Sequence, residues 1–308
     1  MGDVKNIPKL EYVFKGGISP YAMDVQRSTI DWARDFKILN KDTTLNKYEN
    51  YKLGYLASRA QPYDSFSDIA ITSDFMLLSV MLDDYSEEVL DTVDFTTYSD
   101  NIINILKGNK TNIKKDYFLI GWENWWERVK LNTPLEWQSR IIKSLTECFK
   151  STSWEIINRL NNQVPKVEEY IINRQHTGSA FICFDLAERG GKRYCPEDAR
   201  NDLFIELIQS ASNIANWTND IFSLEKEVKN GDNHNLAISI QNQSQISMQD
   251  SLRRVEQMLD FELDKYKDLK HELLTENNLY KETREKYLVG VEAAVRGQYE
   301  WGLRTGRF

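Results

Sequence analysis

The 308 residues carry 39 Lys+Arg against 47 Asp+Glu, a net charge of −8, with 41% hydrophobic and 12% aromatic residues. That balance excludes a disordered chain, which lacks apolar side chains to bury, and a general nucleic-acid binder, which needs clustered cations against phosphate. Three scattered cysteines (Cys148, Cys183, Cys195) and three histidines give neither a disulfide framework nor a His-built zinc site, so any metal is expected on oxygen ligands.

At the start of the chain, MGDVKNIPKLEYVFKGG has no apolar core of the kind a signal peptide needs, and the expected compartment is the cytoplasm. A loop is expected at 14–20. Residues 66–82 are apolar almost all round, as in a helix buried at the centre of a bundle. The most apolar run, Phe75 to Leu82, is flanked by Asp74 and Asp83 and falls far short of the roughly 20 residues that span a bilayer. Gly, Asn and Lys predict a loop over 107–115. Trp137, Ile141, Leu145, Cys148, Trp154 and Ile157 then recur at helical intervals through 135–161.

A Gly-rich charged loop is expected at 188–197. The helical period returns over 202–228, with Leu203, Leu207, Ile214, Trp217, Ile221 and Leu224. Loops are expected at 229–234 and 240–247, and 249–274 reads as an amphipathic outer helix. Alternating strand patterns with Asn-Gly or Asp-Gly turns are not found. The sequence predicts one all-α domain over residues 1–308, built from ten to twelve helices.

Two polar clusters stand out. Asp83, Asp84, Glu87 and Glu88 directly follow the buried run, where uncompensated carboxylates are costly. Asp83 and Glu87 share a helix face, as do Asp84 and Glu88, and like charges at that spacing repel unless a cation lies between them. Such a cluster suits Mg²⁺; a solvated helix end is the alternative. Downstream, Asn219, Ser223 and Glu227 form one stripe, each about 40° on from the last. An amide, a hydroxyl and a carboxylate in line suit a second Mg²⁺ site, against the alternative of polar spacing on an exposed face. An acidic protein holding Mg²⁺ on two walls suits a phosphate-bearing ligand, and Arg174, Lys226, Arg304 and Arg307 are the candidate cations for its oxygens.

Taken together these residues resemble the class I terpene synthases of microbial type. Asp83-Asp84-x-x-Glu87-Glu88 is similar to that family's aspartate-rich element, and Asn219-Asp220-x-x-Ser223-x-x-Lys226-Glu227 to its metal triad. Arg174 stands upstream, where the family's diphosphate-sensing Arg belongs. Thr177 and Gly178 follow at its linker and effector positions, and Gly231-Asp232-Asn233-His234-Asn235 resembles a further family stretch. The resemblance covers about residues 75–308. Two departures are present: Phe308 follows Arg307 where the family has Tyr, and Thr177 stands where many relatives have Asp.

The resemblance implies a helical bundle with a central apolar cavity, three Mg²⁺ ions (Mn²⁺ as a substitute), and an allylic diphosphate substrate, farnesyl or geranylgeranyl. Arg174, Lys226 and Arg307 would neutralise the departing diphosphate, with Arg304 the alternative C-terminal contact. Phe75, Phe181 and Trp301 would line the cavity. No nucleic acid or membrane span is implied, and the chain would be a monomer or homodimer. Chain-elongating isoprenyl transferases and a catalytically silent prenyl-diphosphate binder are the alternative readings.

Overall fold

Several helix starts follow short polar caps. The Ser65 hydroxyl accepts from the Asp68 amide (3.3 Å), the Asn201 side chain from Phe204 (3.0 Å), and that of Asn235 from Ala237 (2.8 Å). The computed structural model describes residues 14–39, 42–109, 116–275 and 279–308. Positions 1–13 and the 110–115 part of the expected 107–115 loop lie outside the described residues.

In chain order the helices are α1 (Ala22–Asp35), α2 (Asp42–Tyr51), α3 (Leu53–Ala60), α4 (Phe66–Glu88), α5 (Thr92–Leu106), α6 (Tyr117–Val129), α7 (Leu135–Leu160), α8 (Val167–Thr177), α9 (Ala180–Gly190), α10 (Asp202–Asn230), α11 (Leu236–Ser244), α12 (Met248–Thr275) and α13 (Lys281–Gly302). Among the described residues there is no strand. Four long helices fall within one to six residues of the expected ranges 66–82, 135–161, 202–228 and 249–274. Among the described residues the count is thirteen rather than ten to twelve. The loop expected at 240–247 is mostly helix: Asn235 caps α11, and Leu236, Ala237, Ile238 and Ile240 are buried behind its Gln, Asn and Ser face. Likewise α4 does not end at residue 82 but carries the acidic run as its last two turns.

The centre of the bundle is α4, α10 and α13, which α3 and α9 join. Phe75 of α4 packs against Trp122 and Trp125 of α6 with ring centroids 6.2 and 5.4 Å away, and the Trp125 indole donates to the Ile71 carbonyl (3.0 Å). These contacts fix α4 in rotation, and with it the direction in which its last turns point. No described helix is long and apolar enough to cross a membrane.

Helices α3 and α13 approach so closely that a Cβ at Gly297 would lie 2.7 Å from the Ala60 nitrogen and the Arg59 carbonyl carbon. Backbone cannot swing aside as a side chain can. Gly297→Val is therefore expected to lower stability by about 1–3 kcal/mol, read as a drop in the urea midpoint. An unchanged midpoint would contradict this packing.

Candidate active site

Helices α3, α4, α8, α9, α10 and α13 enclose a cavity of about 170 Å³, far beyond the roughly 10–15 Å³ that one water requires. Its apolar lining includes Leu56, Ala60, Phe75, Met76, Phe184, Ala215, Ala294 and Trp301. Along three elements the lining changes from apolar to polar: Phe75 to Asp83 on α4, Ala215 to Asn219 on α10, and Ala294 through Trp301 to Arg307 beyond α13. Arg174 of α8 completes the polar end.

On the α4 wall, Asp83, Asp84 and Glu87 bring carboxylate oxygens within 4.8 Å of one another. Arg307 bridges the two aspartates, with guanidinium nitrogens 2.7 Å from Asp83 and 3.4 Å from Asp84. Burial pushes the Glu87 carboxyl above its ordinary range, and the Asp83 charge adds to this, with Lys226 acting in the opposite sense from α10. Burial would lower the Arg307 pKa, but Asp83 and Asp84 outweigh it and keep the group charged.

The α10 wall is held from behind. Asp220, 1% exposed, accepts from the Tyr170 hydroxyl (2.8 Å), the Leu236 amide (3.2 Å) and Arg174 (3.0 Å). Arg174 also donates to the Asn219 side-chain oxygen (2.9 Å), which joins α8 directly to the triad. The Ser223 hydroxyl donates to the Asn219 carbonyl (2.9 Å), and the Asn235 amide to Glu227 (2.7 Å). Burial, then the Asp220 charge, pushes the Glu227 carboxyl up to about 8, although Arg174 and Asn235 oppose the shift.

Between α8 and α9 the chain breaks at Gly178, and Ser179 takes a left-handed φ of 56°. A Cβ at Gly178 would lie 1.7 Å from Asn216 Oδ1, and the Asn216 amide donates to the Arg174 carbonyl (3.0 Å). The absent side chain thus lets the α8 terminus seat on α10. Beside it the Thr177 hydroxyl lines the cavity, buried and with no hydrogen-bond partner among the described residues.

The structure does not bring every expected residue to the site. Phe181 stands off the cavity, its ring tilted against that of His176 with centroids 5.6 Å apart. Because α9 starts at Ala180, it is Ala180, Cys183 and Phe184 that share the cavity face; at about 100° per residue, Phe181 falls to one side. Glu88 is exposed and outside the carboxylate group. Lys226 does not line the cavity, although its charge reaches Glu87. Arg304 donates to the Glu300 carbonyl (2.8 Å) and lies outside the lining, so Arg307 is the C-terminal cation that meets the acidic wall.

Several residues escaped the sequence reading. Glu155 of α7 is buried, its carboxyl raised by burial, with His234 and Arg174 opposing the shift and Asp83 of the α4 wall adding to it. Its only signal was a charged residue within an apolar helical period. Lys47 and Tyr48 also reach the acidic wall, each contacting Asp84; they had no local signal.

The donor set fits a hard divalent cation. It consists only of carboxylate, amide and hydroxyl oxygens, and it includes one carboxyl (Glu87) whose charge is disfavoured by a neighbouring carboxylate. A helical bundle with such oxygens at the polar end of an apolar cavity defines the class I terpene synthase class of diphosphate-releasing lyases. The fold agrees: the crystal structure of α-eudesmol synthase superposes with a TM-score of 0.86 at 20% identity, covering 98% of this chain and 99% of that one. Linalool/nerolidol synthase from Streptomyces clavuligerus gives 0.84 at 18% identity, covering 94% and 98%.

Residues 74–265 match the family model described as terpene synthase family 2, C-terminal metal binding, and the chain belongs to that family. Relatives include the (+)-T-muurolol synthase of Roseiflexus castenholzii, named as cyclising (2E,6E)-farnesyl diphosphate. It is 27% identical over 304 residues, covering 97% of this chain and 93% of its own. The (+)-eremophilene synthase of Sorangium cellulosum is also 27% identical, covering 97% and 91%.

Because the Glu227 carboxyl titrates near 8, it is largely protonated at lower pH, and a cation must displace that proton. Binding of Mn²⁺, followed by electron paramagnetic resonance, is expected to strengthen as pH rises to about 8, by about tenfold per unit, and then to level off. Affinity independent of pH between 6.5 and 8 would contradict this.

Proposed function

We propose that the chain is a Mg²⁺-dependent sesquiterpene cyclase, ionising farnesyl diphosphate and cyclising the resulting cation. The observation that carries this reading is the single cavity lined at once by Asp83, Asn219, Arg174 and Arg307 at one end and by apolar and aromatic side chains elsewhere. The farnesyl chain length is drawn from the relative named as cyclising that substrate.

On α4 Asp83 and Glu87, with Asp84 adjoining them, and on α10 Asn219, Ser223 and Glu227, would form the oxygen walls that hold the metal. Bound Mg²⁺ would supply charge neutralisation for the departing diphosphate. Arg174 and Arg307 add fixed guanidinium charges that can fork onto phosphate oxygens, and Lys226 adds a more distant one. Arg174 is tied to Asn219 and Asp220, and its carbonyl to Asn216 beneath Gly178. Engagement of its guanidinium by diphosphate would therefore be felt at the α8–α9 break. Thr177 and Gly178 stand at that break to relay it.

When the C–O bond breaks, its electron pair leaves with diphosphate and an allylic cation remains in the cavity. The faces of Phe75, Phe184 and Trp301 suit that cation, at about 0.5–2 kcal/mol each in a dry setting. Trp301 is fixed in orientation by its indole hydrogen bond to the Tyr51 carbonyl (2.7 Å). Apolar walls exclude the water that would quench the cation early.

With farnesyl diphosphate and Mg²⁺, gas chromatography with mass detection is expected to show a cyclic C15 product and stoichiometric pyrophosphate, both lost on chelation. Asn219→Leu and Glu227→Gln are each expected to lower kcat by at least about 100-fold with helical circular dichroism retained. Full turnover in either variant, or turnover only with the C20 diphosphate, would overturn the corresponding part of the reading.

A further inference from the structure

The acidic wall is not held by its own helix alone. From α2, the Lys47 ammonium lies 2.8 Å and the Tyr48 hydroxyl 2.9 Å from the same oxygen of Asp84, while Arg307 approaches the other oxygen. Both Asp84 oxygens are therefore engaged, whereas Asp83 meets only Arg307, and Glu87 has no ion pair among the described residues. The end of the same helix grips the segment that follows α13. The Tyr51 carbonyl accepts from the Trp301 indole (2.7 Å) and the Thr305 hydroxyl (3.0 Å), and the Asn50 carbonyl from the Gly306 amide (3.2 Å). The Arg307 guanidinium lies over the Tyr51 ring, 5.0 Å from its centroid.

We propose that Lys47 and Tyr48 are positioning residues of the lyase site, which withdraw Asp84 from the metal-ligand set and make it the post that holds Arg307 and the 301–307 segment. This rests on the metal-dependent reading above. The electrostatics favour that division of labour. Three carboxylates within 4.8 Å repel one another, and a lysine placed on one of them leaves Asp83 and Glu87 as the pair facing a cation. Without Lys47, Asp84 would turn to the ions as a third carboxylate ligand and release Arg307 and the segment it holds. The Tyr48 hydroxyl donates to the same Asp84 oxygen, adding a neutral hydrogen bond beside the Lys47 charge.

Were Lys47 and Tyr48 only staples holding α2 to the bundle, their loss would lower stability and leave the metal requirement unchanged. Lys47→Met, Tyr48→Phe and Lys47→Arg separate the two cases. The readouts are the Mg²⁺ concentration for half-maximal rate and the protection from tryptic cleavage after Arg304 that Mg²⁺ with inorganic pyrophosphate confers. Lys47→Met is expected to lower the half-saturating Mg²⁺ by about tenfold, as Asp84 joins the ligands, and to abolish the protection, and Lys47→Arg to restore both. A variant with a lower unfolding midpoint but wild-type Mg²⁺ dependence and protection would overturn the proposal. Should Lys47→Met fail to fold, Tyr48→Phe, which removes one hydroxyl, decides by the same readouts. Failure of the functional reading would look different, because wild-type protein would then yield no terpene from farnesyl diphosphate.

Discussion

Negative charge concentrated at the end of an apolar cavity is the constraint around which the molecule is arranged. Helix α4 is buried along most of its length by Trp122, Trp125 and its neighbours, then ends in Asp83, Asp84 and Glu87 with oxygens within 4.8 Å. Such a cluster is unfavourable unless cations share it. The chain supplies Arg307 and Lys47 directly and Lys226 at longer range, and the remaining demand is what a divalent ion meets. The opposite wall differs in kind. Asn219 and Ser223 are neutral oxygen donors, and Glu227 is kept partly neutral by burial, so α10 tolerates an interior position that a second row of aspartates would not.

The α10 wall is tied to α8. Arg174 contacts Asn219 and Asp220 by side chain and Asn216 by backbone, so one residue spans the triad and the helix break at Gly178–Ser179. The left-handed Ser179 puts backbone strain directly after Gly178, whose missing Cβ admits Asn216 against the Arg174 carbonyl. Asp220, second residue of the Asn-Asp pair, anchors Arg174 and Tyr170.

The long helices were legible because each has a dominant apolar period that only burial in a bundle satisfies. Short α11 was not, since Gln241, Asn242, Gln243 and Ser244 outweigh its buried residues in any local count, and the cap at Asn235 makes sense only beside Asp220 and Glu227. The acidic run and the Asn219 triad were legible as spacings, and Arg174 through resemblance. Phe181 misled because which side of α9 faces the cavity depends on where the helix starts, and a single residue decides between Phe181 and Phe184. The contacts of Lys47 and Tyr48 with Asp84 could not be read at all, for they join α2 and α4 across an intervening helix and leave no periodic trace.

The most direct test of the account is a crystal structure with Mn²⁺ and inorganic pyrophosphate, read by anomalous scattering. The account predicts metal peaks on both walls, one set against Asp83 and Glu87 and another against Asn219, Ser223 and Glu227, with a shared pyrophosphate touching Arg174 and Arg307. Metal confined to one wall, or pyrophosphate bound away from the cavity, would contradict it.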